Sequence, residues 1–125
     1  SVDGTRKDLV QYAMKYLGNA YVWGGNDPNT GADCSGFVKY VYQNVAGITL
    51  PRTSYTQCYS GEKISSLEML PGDLIFYANS AGTVGHVAMY IGNGTIIHAA
   101  SEKSGIKLSP WNYRTPKYIR CILEE

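Results

Sequence analysis

The first part of the chain places its apolar residues at helical spacing. Between residues 5 and 17 they recur at every third or fourth position, which predicts a packing helix. Thr5 followed by Asp8 resembles a capping box at the start of this helix, and Gly18 supplies its end.

A second helical pattern follows a loop that is rich in glycine, asparagine and proline over residues 23–31. Its apolar residues line one face as far as Gly47, where glycine is expected to end the helix. This places Cys34 at or near the helix N-terminus, with Asp33 or the residue before it near the cap. A short third helix is predicted over residues 54–59.

From Pro71 onward the apolar pattern changes to a period of two, which is typical of β-strands. Helices in the first half and strands in the second half predict the α+β class, with an antiparallel sheet. The predicted strands cover residues 73–77, 86–91, 95–99, 106–108 and 118–123.

Size and composition indicate one folded domain. The chain has 125 residues, of which 44% are apolar and 17% are charged, as in ordinary globular proteins. It begins Ser-Val rather than Met, and it carries no signal peptide. We therefore expect residues 1–125 to be a single domain excised from a longer protein.

Charge and residue counts exclude several classes of function. The net charge is +1 and no run of basic residues occurs, which argues against nucleic-acid binding. No apolar stretch approaches the ~18 residues that span a bilayer, so no membrane insertion is expected. With only two histidines and no CxxC pair, a zinc site is not expected either.

Three cysteines, Cys34, Cys58 and Cys121, cannot all pair with one another, so at least one thiol is free or bridges to another chain. A buried structural thiol is the commonest fate of a free cysteine, and Cys58 and Cys121 show nothing beyond it. Cys34 differs, because it follows a loop of small and polar residues and can face a cleft. A helix N-terminus and a neighbouring imidazolium both lower a thiol pKa, which makes Cys34 a candidate nucleophile.

Both histidines, His86 and His98, lie on a predicted hairpin whose turn is formed by residues 92–94. A two-residue turn would place Met89 opposite His98 and the histidines on opposite faces of the sheet. A three-residue loop, or a bulge with the same effect, would place Ala88 opposite His98 and both histidines on one face. We predict the second register, because a base and the residue that orients it must be neighbours. One imidazole would then accept a hydrogen bond from the Nδ1–H of the other.

Six stretches of the chain, taken in order, resemble the NlpC/P60 family of cell-wall peptidases. They extend over nearly the whole chain, and together they are far more specific than any one of them. The stretches are Tyr21-Val22-Trp23-Gly24-Gly25, Asp33-Cys34-Ser35-Gly36-Phe37, Leu50-Pro51-Arg52-Thr53-Ser54, Pro71-Gly72-Asp73-Leu74-Ile75-Phe76-Tyr77, Gly85-His86-Val87-Ala88-Met89-Tyr90-Ile91-Gly92 and Ile97-His98-Ala99.

The resemblance implies a papain-like α+β fold, in which N-terminal helices pack on an antiparallel sheet. It implies Cys34 as nucleophile, His86 as base and His98 as the polar third member, without a metal or an organic cofactor. Tyr21 matches a tyrosine that helps to build the oxyanion or substrate pocket.

Further positions match residues that line or support the substrate cleft of the family. Two of them have simpler roles available, since Asp33 could mainly cap the helix and Arg52 could hold a loop. The matching positions are Asp33, Ser35, Arg52 and Ser54.

The reaction that the resemblance implies is hydrolysis of the bond between γ-D-glutamyl and a diamino acid in peptidoglycan stem peptides. The enzyme would be a secreted bacterial cysteine peptidase that acts as a monomer outside the cell or in the wall. A related amidase that cuts the sugar–peptide bond or a peptide crossbridge is the alternative enzyme. A non-catalytic wall-binding module and a thiol redox protein are the alternatives from other classes. A Cys34 thiol more reactive than that of Cys58 would favour the enzyme over the binding module.

Overall fold

The computed structural model describes residues 2–123. Its first helix, α1, spans Val2–Met14 and therefore begins and ends three residues earlier than predicted. Thr5 lies inside the helix, so the predicted capping box is wrong. The helix ends before Gly18 because the N–H groups of residues 15–17 donate to carbonyls three positions back, and the Gly18 N–H donates to the Ile106 carbonyl. The spacing of the apolar residues thus predicted which face of α1 is buried, but it did not predict the first and last residues of the helix.

Helix α2 spans Cys34–Ala46, as the sequence predicts. Asp33 is its N-cap, and the Asp33 side chain accepts a hydrogen bond from the Gly36 N–H. Gly47 ends the helix in the left-handed conformation, with φ 67°. The structure therefore confirms that Cys34 occupies the first turn of a helix.

Short elements flank α2. Strands β1, Asn26–Asp27, and β2, Gly31–Ala32, pair with each other within the predicted loop. Helix α3 spans Ser54–Gln57 and ends two residues before its predicted end at position 59. A single 3₁₀ turn over Ser66–Glu68 has no counterpart in the sequence prediction.

The main sheet has six antiparallel strands and confirms the predicted α+β class. All five predicted strands are present, and the short edge strand β3 adds a sixth. Along the sheet the order is β3-β8-β4-β5-β6-β7. The strands are β3 Glu62–Lys63, β4 Leu74–Ala78, β5 Val84–Gly92, β6 Thr95–Ser101, β7 Gly105–Pro110 and β8 Pro116–Cys121.

Each face of the sheet carries its own apolar cluster. On strand β5, Val87 and Met89 join the larger cluster together with Leu9 of α1 and Phe37 of α2, whereas Ala88 joins the smaller one. Successive residues of a strand point to opposite faces, so the helices cover one face of the sheet. No helix within residues 2–123 is long and apolar enough to cross a membrane.

The hairpin between β5 and β6 has the predicted register. Met89 pairs with Ile97, and the pairing shifts between Tyr90 and Gly92. This bulge places Ala88 opposite His98, even though only Asn93 and Gly94 separate the two strands. The prediction of a bulge with the effect of a three-residue loop is therefore confirmed, and both histidines lie on one face.

Candidate active site

Cys34 begins α2 in a nearly buried position, where 9% of its surface is exposed. Its thiol lies close to β5, because the backbone N–H of Val87 is near enough to favour the thiolate and lower the pKa of Cys34. Val87 directly follows His86, so the start of α2 and the start of β5 meet at this point. The fold thus brings the predicted nucleophile to the strand that carries the predicted base.

Burial raises the pKa of the Cys34 thiol, and the neighbouring Asp33 carboxylate adds to this effect. The N–H groups of Val87 and Ser35 act in the opposite direction but do not outweigh burial. The sequence prediction considered only the helix N-terminus and an imidazolium, both of which lower the pKa. Desolvation is the omitted cause, and it leaves Cys34 as a neutral thiol in the resting site.

His86, His98 and Ser109 form a hydrogen-bonded row. Nε2 of His86 lies 2.8 Å from Nδ1 of His98, and Nε2 of His98 lies 2.8 Å from Oγ of Ser109. Donation along the row from His86 to Ser109 leaves Nδ1 of His86 as the ring nitrogen that can accept a proton from Cys34. The prediction that the base would donate through its Nδ1–H was therefore wrong, because the rings place Nε2 of His86 against His98.

The environment keeps both imidazoles neutral at pH 7. Burial, the charge of His98 and the charge of Arg114 lower the pKa of His86 to about 3. Burial, Lys107 and Arg114 lower the pKa of His98 to about 4. A neutral thiol beside a neutral imidazole can pass one proton to it without changing the net charge of the site, which limits the cost of forming a buried thiolate.

We expect the stability of the domain to fall as the pH falls below about 6.5, because the unfolded histidines then take up protons that the folded ones do not. Each histidine contributes a loss of about 1.4 kcal/mol of unfolding free energy per pH unit between about pH 6 and pH 4.5. Urea unfolding at three pH values measures the slope. His98→Gln removes one of the two groups and should give a shallower slope, and an unchanged slope would contradict this explanation.

A cleft of about 560 Å³ contains both Cys34 and His86. Its lining includes all the predicted site residues except His98, which is 1% exposed and lies behind His86. A cavity of about 900 Å³ beside Arg6 and Asp73 is larger but contains neither Cys34 nor a histidine. The predicted residues that line the cleft are Tyr21, Asp33, Cys34, Ser35, Arg52, Ser54 and His86.

Asp33 and Arg52 hold the loop that precedes Cys34. Nη1 and Nη2 of Arg52 donate to the two carboxylate oxygens of Asp33 at 3.0 and 2.9 Å, and Nη1 also donates to Oγ of Ser35 at 2.8 Å. Burial opposes ionisation of Asp33, but Arg52 and the N–H groups of Gly36 and Gly24 hold its pKa below the usual range. Asp33 and Arg52 therefore support the cleft. This agrees with the simpler interpretations of the sequence, in which Asp33 caps the helix and Arg52 holds a loop.

Arg52→Lys is expected to lower the free energy of unfolding by about 1–2 kcal/mol, because lysine cannot make two parallel bonds to Asp33. Urea unfolding at pH 7 measures the loss. Arg114→Lys is the matched control, since the Arg114 guanidinium has one hydrogen bond, to the Ala78 carbonyl, among the described residues. Equal stability of Arg52→Lys and wild type would contradict the supporting role of Arg52.

Gly36 allows the loop to pass close to the start of α2. A Cβ atom at this position would lie 2.1 Å from the Gly25 carbonyl oxygen, which is far inside van der Waals contact. The same loop carries Trp23 and Tyr21 to the cleft. Burial raises the pKa of Tyr21, and the nearby Cys34 and Asp33 side chains add to this effect, so its hydroxyl remains a hydrogen-bond donor.

Sequence reasoning missed four residues of the site. Trp23, 81% exposed, lies on the rim of the cleft, and Tyr113 and Arg114 enter it from the segment before β8. The Tyr113 ring lies 5.3 Å from that of His98, and Ser109 ends the histidine row. Residues 111–114 follow neither helical nor strand spacing, so no signal connected them to Cys34.

Cys58 and Cys121 lie outside the cleft, and neither forms a disulfide with Cys34. The Cys58 thiol donates to the Tyr55 carbonyl, and Cys121 accepts from Arg6. Within residues 2–123, no three His, Cys, Asp or Glu side chains cluster in a way that could hold a metal ion.

Comparison with known proteins decides the family. A sequence model described as the NlpC/P60 family matches residues 18–122. The chain belongs to the NlpC/P60 family. The resemblance that the six sequence stretches predict is therefore confirmed, and the NlpC/P60 match includes every predicted site residue.

The NlpC/P60 domain is similar to parts of larger proteins. It is 48% identical over 99 residues to "Probable endopeptidase p60" of Listeria seeligeri, a match that covers 79% of this chain and 18% of that protein. It is 40% identical over 114 residues to "Gamma-D-glutamyl-L-lysine dipeptidyl-peptidase" of Bacillus cereus, covering 90% of this chain and 33% of that one. The chain thus spans between 18% and 33% of the length of these two relatives.

A solved structure matches the domain over almost its full length. The crystal structure of the NlpC/p60 domain of peptidoglycan hydrolase SagA has a TM-score of 0.83 and 37% sequence identity. The match covers 93% of this chain and 97% of that one. The helices and antiparallel sheet described above are therefore the papain-like α+β fold of NlpC/P60 proteins.

Proposed function

We propose that this domain is a cysteine peptidase that hydrolyses the bond between γ-D-glutamyl and a diamino acid in peptidoglycan stem peptides. The observation that carries the proposal is a single cleft that holds Cys34 and His86, with His86 hydrogen-bonded to His98 at 2.8 Å. The names of the relatives support the choice of bond, because one is a gamma-D-glutamyl-L-lysine dipeptidyl-peptidase and another a gamma-DL-glutamyl hydrolase.

The first step forms an acyl-enzyme. Sγ of Cys34 attacks the γ-carbonyl carbon of the D-glutamyl residue while its proton passes to Nδ1 of His86. The carbonyl oxygen becomes an oxyanion, which the backbone N–H of Cys34 and the hydroxyl of Tyr21 can bind. One such donor typically lowers the barrier by about 3–4 kcal/mol. Nε2 of His86 donates to His98 throughout, which stabilises the imidazolium.

Collapse of the intermediate breaks the C–N bond. The imidazolium of His86 gives its proton to the leaving amine of the diamino acid, and the γ-D-glutamyl group stays on Cys34 as a thioester. Water then attacks the thioester while His86 takes a proton from it, and the thiol of Cys34 is restored. Protons and bonds balance without a metal or a cofactor.

The remaining cleft residues position the substrate and the loop around it. Asp33 caps the helix that begins at Cys34 and binds Arg52, so it places Sγ rather than reacting itself. Ser35 and Ser54 are both buried and line the cleft next to Cys34. Oγ of Ser35 donates to Asp33 and accepts from Arg52, so we assign Ser35 to supporting the cleft and Ser54 to binding the acyl part of the stem peptide.

We place the domain outside the cell or in the wall, where its substrate lies, as the catalytic part of a longer secreted protein. All proposed site residues come from one chain, so a monomer is sufficient for the reaction. The substrate is the peptide of the wall polymer and not a nucleic acid.

Mass spectrometry of stem tetrapeptides and muropeptides after incubation with the domain tests the proposal, with Cys34→Ala as the control. We expect fragments with a new diamino-acid N-terminus, absent from the control. Release of whole stems from the sugar would assign the domain to the amidases. Absence of cleavage with every substrate would favour a wall-binding module.

A further inference from the structure

Three tyrosine rings form a strip that starts beside the cleft. The ring centroids of Tyr55 and Tyr59 are 6.3 Å apart, and those of Tyr59 and Tyr118 are 6.4 Å apart. Tyr55 directly follows Ser54, which lines the cleft. Tyr55 is 54% exposed and Tyr59 is 62% exposed, so large aromatic surfaces that fill no core face solvent here. We call these three residues the tyrosine strip.

Positive charges surround the far end of the tyrosine strip. Nζ of Lys63, Nζ of Lys117 and Cζ of Arg120 each lie between 5.7 and 5.8 Å from the centroid of the Tyr118 ring. None of the three has a salt bridge to a carboxylate within residues 2–123. Arg120 is fixed by its Nε–H, which donates to the Cys58 carbonyl at 2.7 Å. The strip thus ends in hydrogen-bond donors that suit an anionic or hydroxyl-rich ligand.

A shallow groove continues the strip past Tyr118. Its volume is about 290 Å³, and its walls include Trp111 as well as Lys63 and Lys117. The hydroxyl-bearing residues Ser65 and Ser66 line the same groove. Aromatic rings beside hydroxyl groups and cations give one apolar face and several polar contacts, which is the combination that a sugar ring requires.

The proposed reaction brings a sugar close to the cleft, and this inference rests on that proposed function. The acyl part of the stem is held on Cys34, in a cleft whose lining also includes Ser54. The acyl part also leads to the sugar, because the stem is joined to the glycan through its first residue.

The sugar of a bound stem lies only a short distance from the scissile bond. Two residues separate the two, and an extended chain covers about 3.5 Å per residue. The sugar would therefore start about 7 Å from Cys34. Tyr55 follows Ser54 along α3, so the tyrosine strip begins next to a residue of the cleft.

We propose that the tyrosine strip, with Lys63, Lys117 and Arg120, is a second binding site that holds the glycan strand from which the stem peptide projects. Sugar rings stack on Tyr55 and Tyr59, which are exposed, and the cations around Tyr118 bind hydroxyls along the strand. The site leaves the chemistry at Cys34 unchanged and adds affinity for polymeric substrate over free peptide.

A substrate pair tests this site. The kcat/KM for a free stem peptide and for glycan-linked stems is measured for wild type and for the double variant Tyr59→Ser, Lys63→Glu. The ratio of the glycan-linked value to the free-peptide value is expected to fall about tenfold in the double variant. Leu108→Ser with Lys103→Glu is the matched control, because these exposed residues lie outside the strip and the cleft, and it should keep the wild-type ratio.

Cosedimentation with purified walls stripped of anionic polymers tests the site without catalysis. The Cys34→Ala protein should sediment with the walls, and adding Tyr59→Ser and Lys63→Glu should release it. Equal sedimentation with and without these two changes would overturn the proposal, as would binding only to walls that keep their anionic polymers. Sedimentation that depends on the strip, together with no cleavage of any stem, would support this site and refute the peptidase.

Discussion

Cys34→Ala is expected to reduce kcat for stem-peptide hydrolysis by about 10⁴-fold or more, because alanine has no nucleophile to form the acyl-enzyme. The substitution removes one sulfur atom from a nearly buried position at the start of α2. The Asp33 cap and the Arg52 contacts involve other atoms, so the fold and the shape of the cleft should persist. The loss would therefore fall on kcat, with KM nearly unchanged.

Cys58→Ala is the matched control for this experiment. Cys58 is also a buried free thiol, but it lies outside the cleft and its thiol donates to the Tyr55 carbonyl. Its kcat should stay close to the wild-type value. A Cys34→Ala protein that keeps more than about a hundredth of the wild-type kcat would contradict the role of Cys34 as nucleophile.

His86→Gln is expected to lower kcat by about 10³-fold, since glutamine can contact His98 but cannot take a proton from a thiol. The pH dependence of kcat/KM gives a second test. Protonation of His86 removes the base, so activity is lost as the pH falls through its pKa, which burial lowers to about 3. The wild-type enzyme should therefore remain active well below pH 6.5, the usual histidine value, for as long as it stays folded.

His98→Gln is the comparison for His86→Gln. Glutamine can still accept a hydrogen bond from Nε2–H of His86, so the base is retained and only its orientation weakens. We expect a smaller loss of kcat than in His86→Gln. An equal or larger loss in His98→Gln, or an acid limb of wild-type kcat/KM centred near pH 6.5, would contradict the assignment of His86 as a desolvated base.

The histidine pair shows how far local pattern can predict a site. Strand periodicity and a turn of known chemistry reduced the hairpin to two registers, and only one put His86 and His98 on the same face. The structure has that register, although a bulge between Tyr90 and Gly92 produces it. Side chains alternate strictly between the two faces of a sheet along each strand. The requirement that His86 and His98 be neighbours was therefore enough to choose the register.

Features that depend on tertiary packing were not predictable in the same way. The ring nitrogen that His86 turns toward His98 follows from side-chain rotation, which the strand register does not determine. The raised pKa of Cys34 follows from burial by elements distant in sequence. Tyr113 and Arg114 reach the cleft only because β8 pairs with β4, in the middle of the sheet.

The most direct test of the account is to trap the acyl-enzyme. A stem peptide is mixed with the domain, the reaction is quenched with acid within the first turnover, and intact-protein mass spectrometry is followed by peptide mapping. We expect a mass increase equal to the acyl part of the stem, located on Cys34 and absent from Cys34→Ala. Product formation with no adduct at any time, or an adduct on a residue other than Cys34, would contradict it.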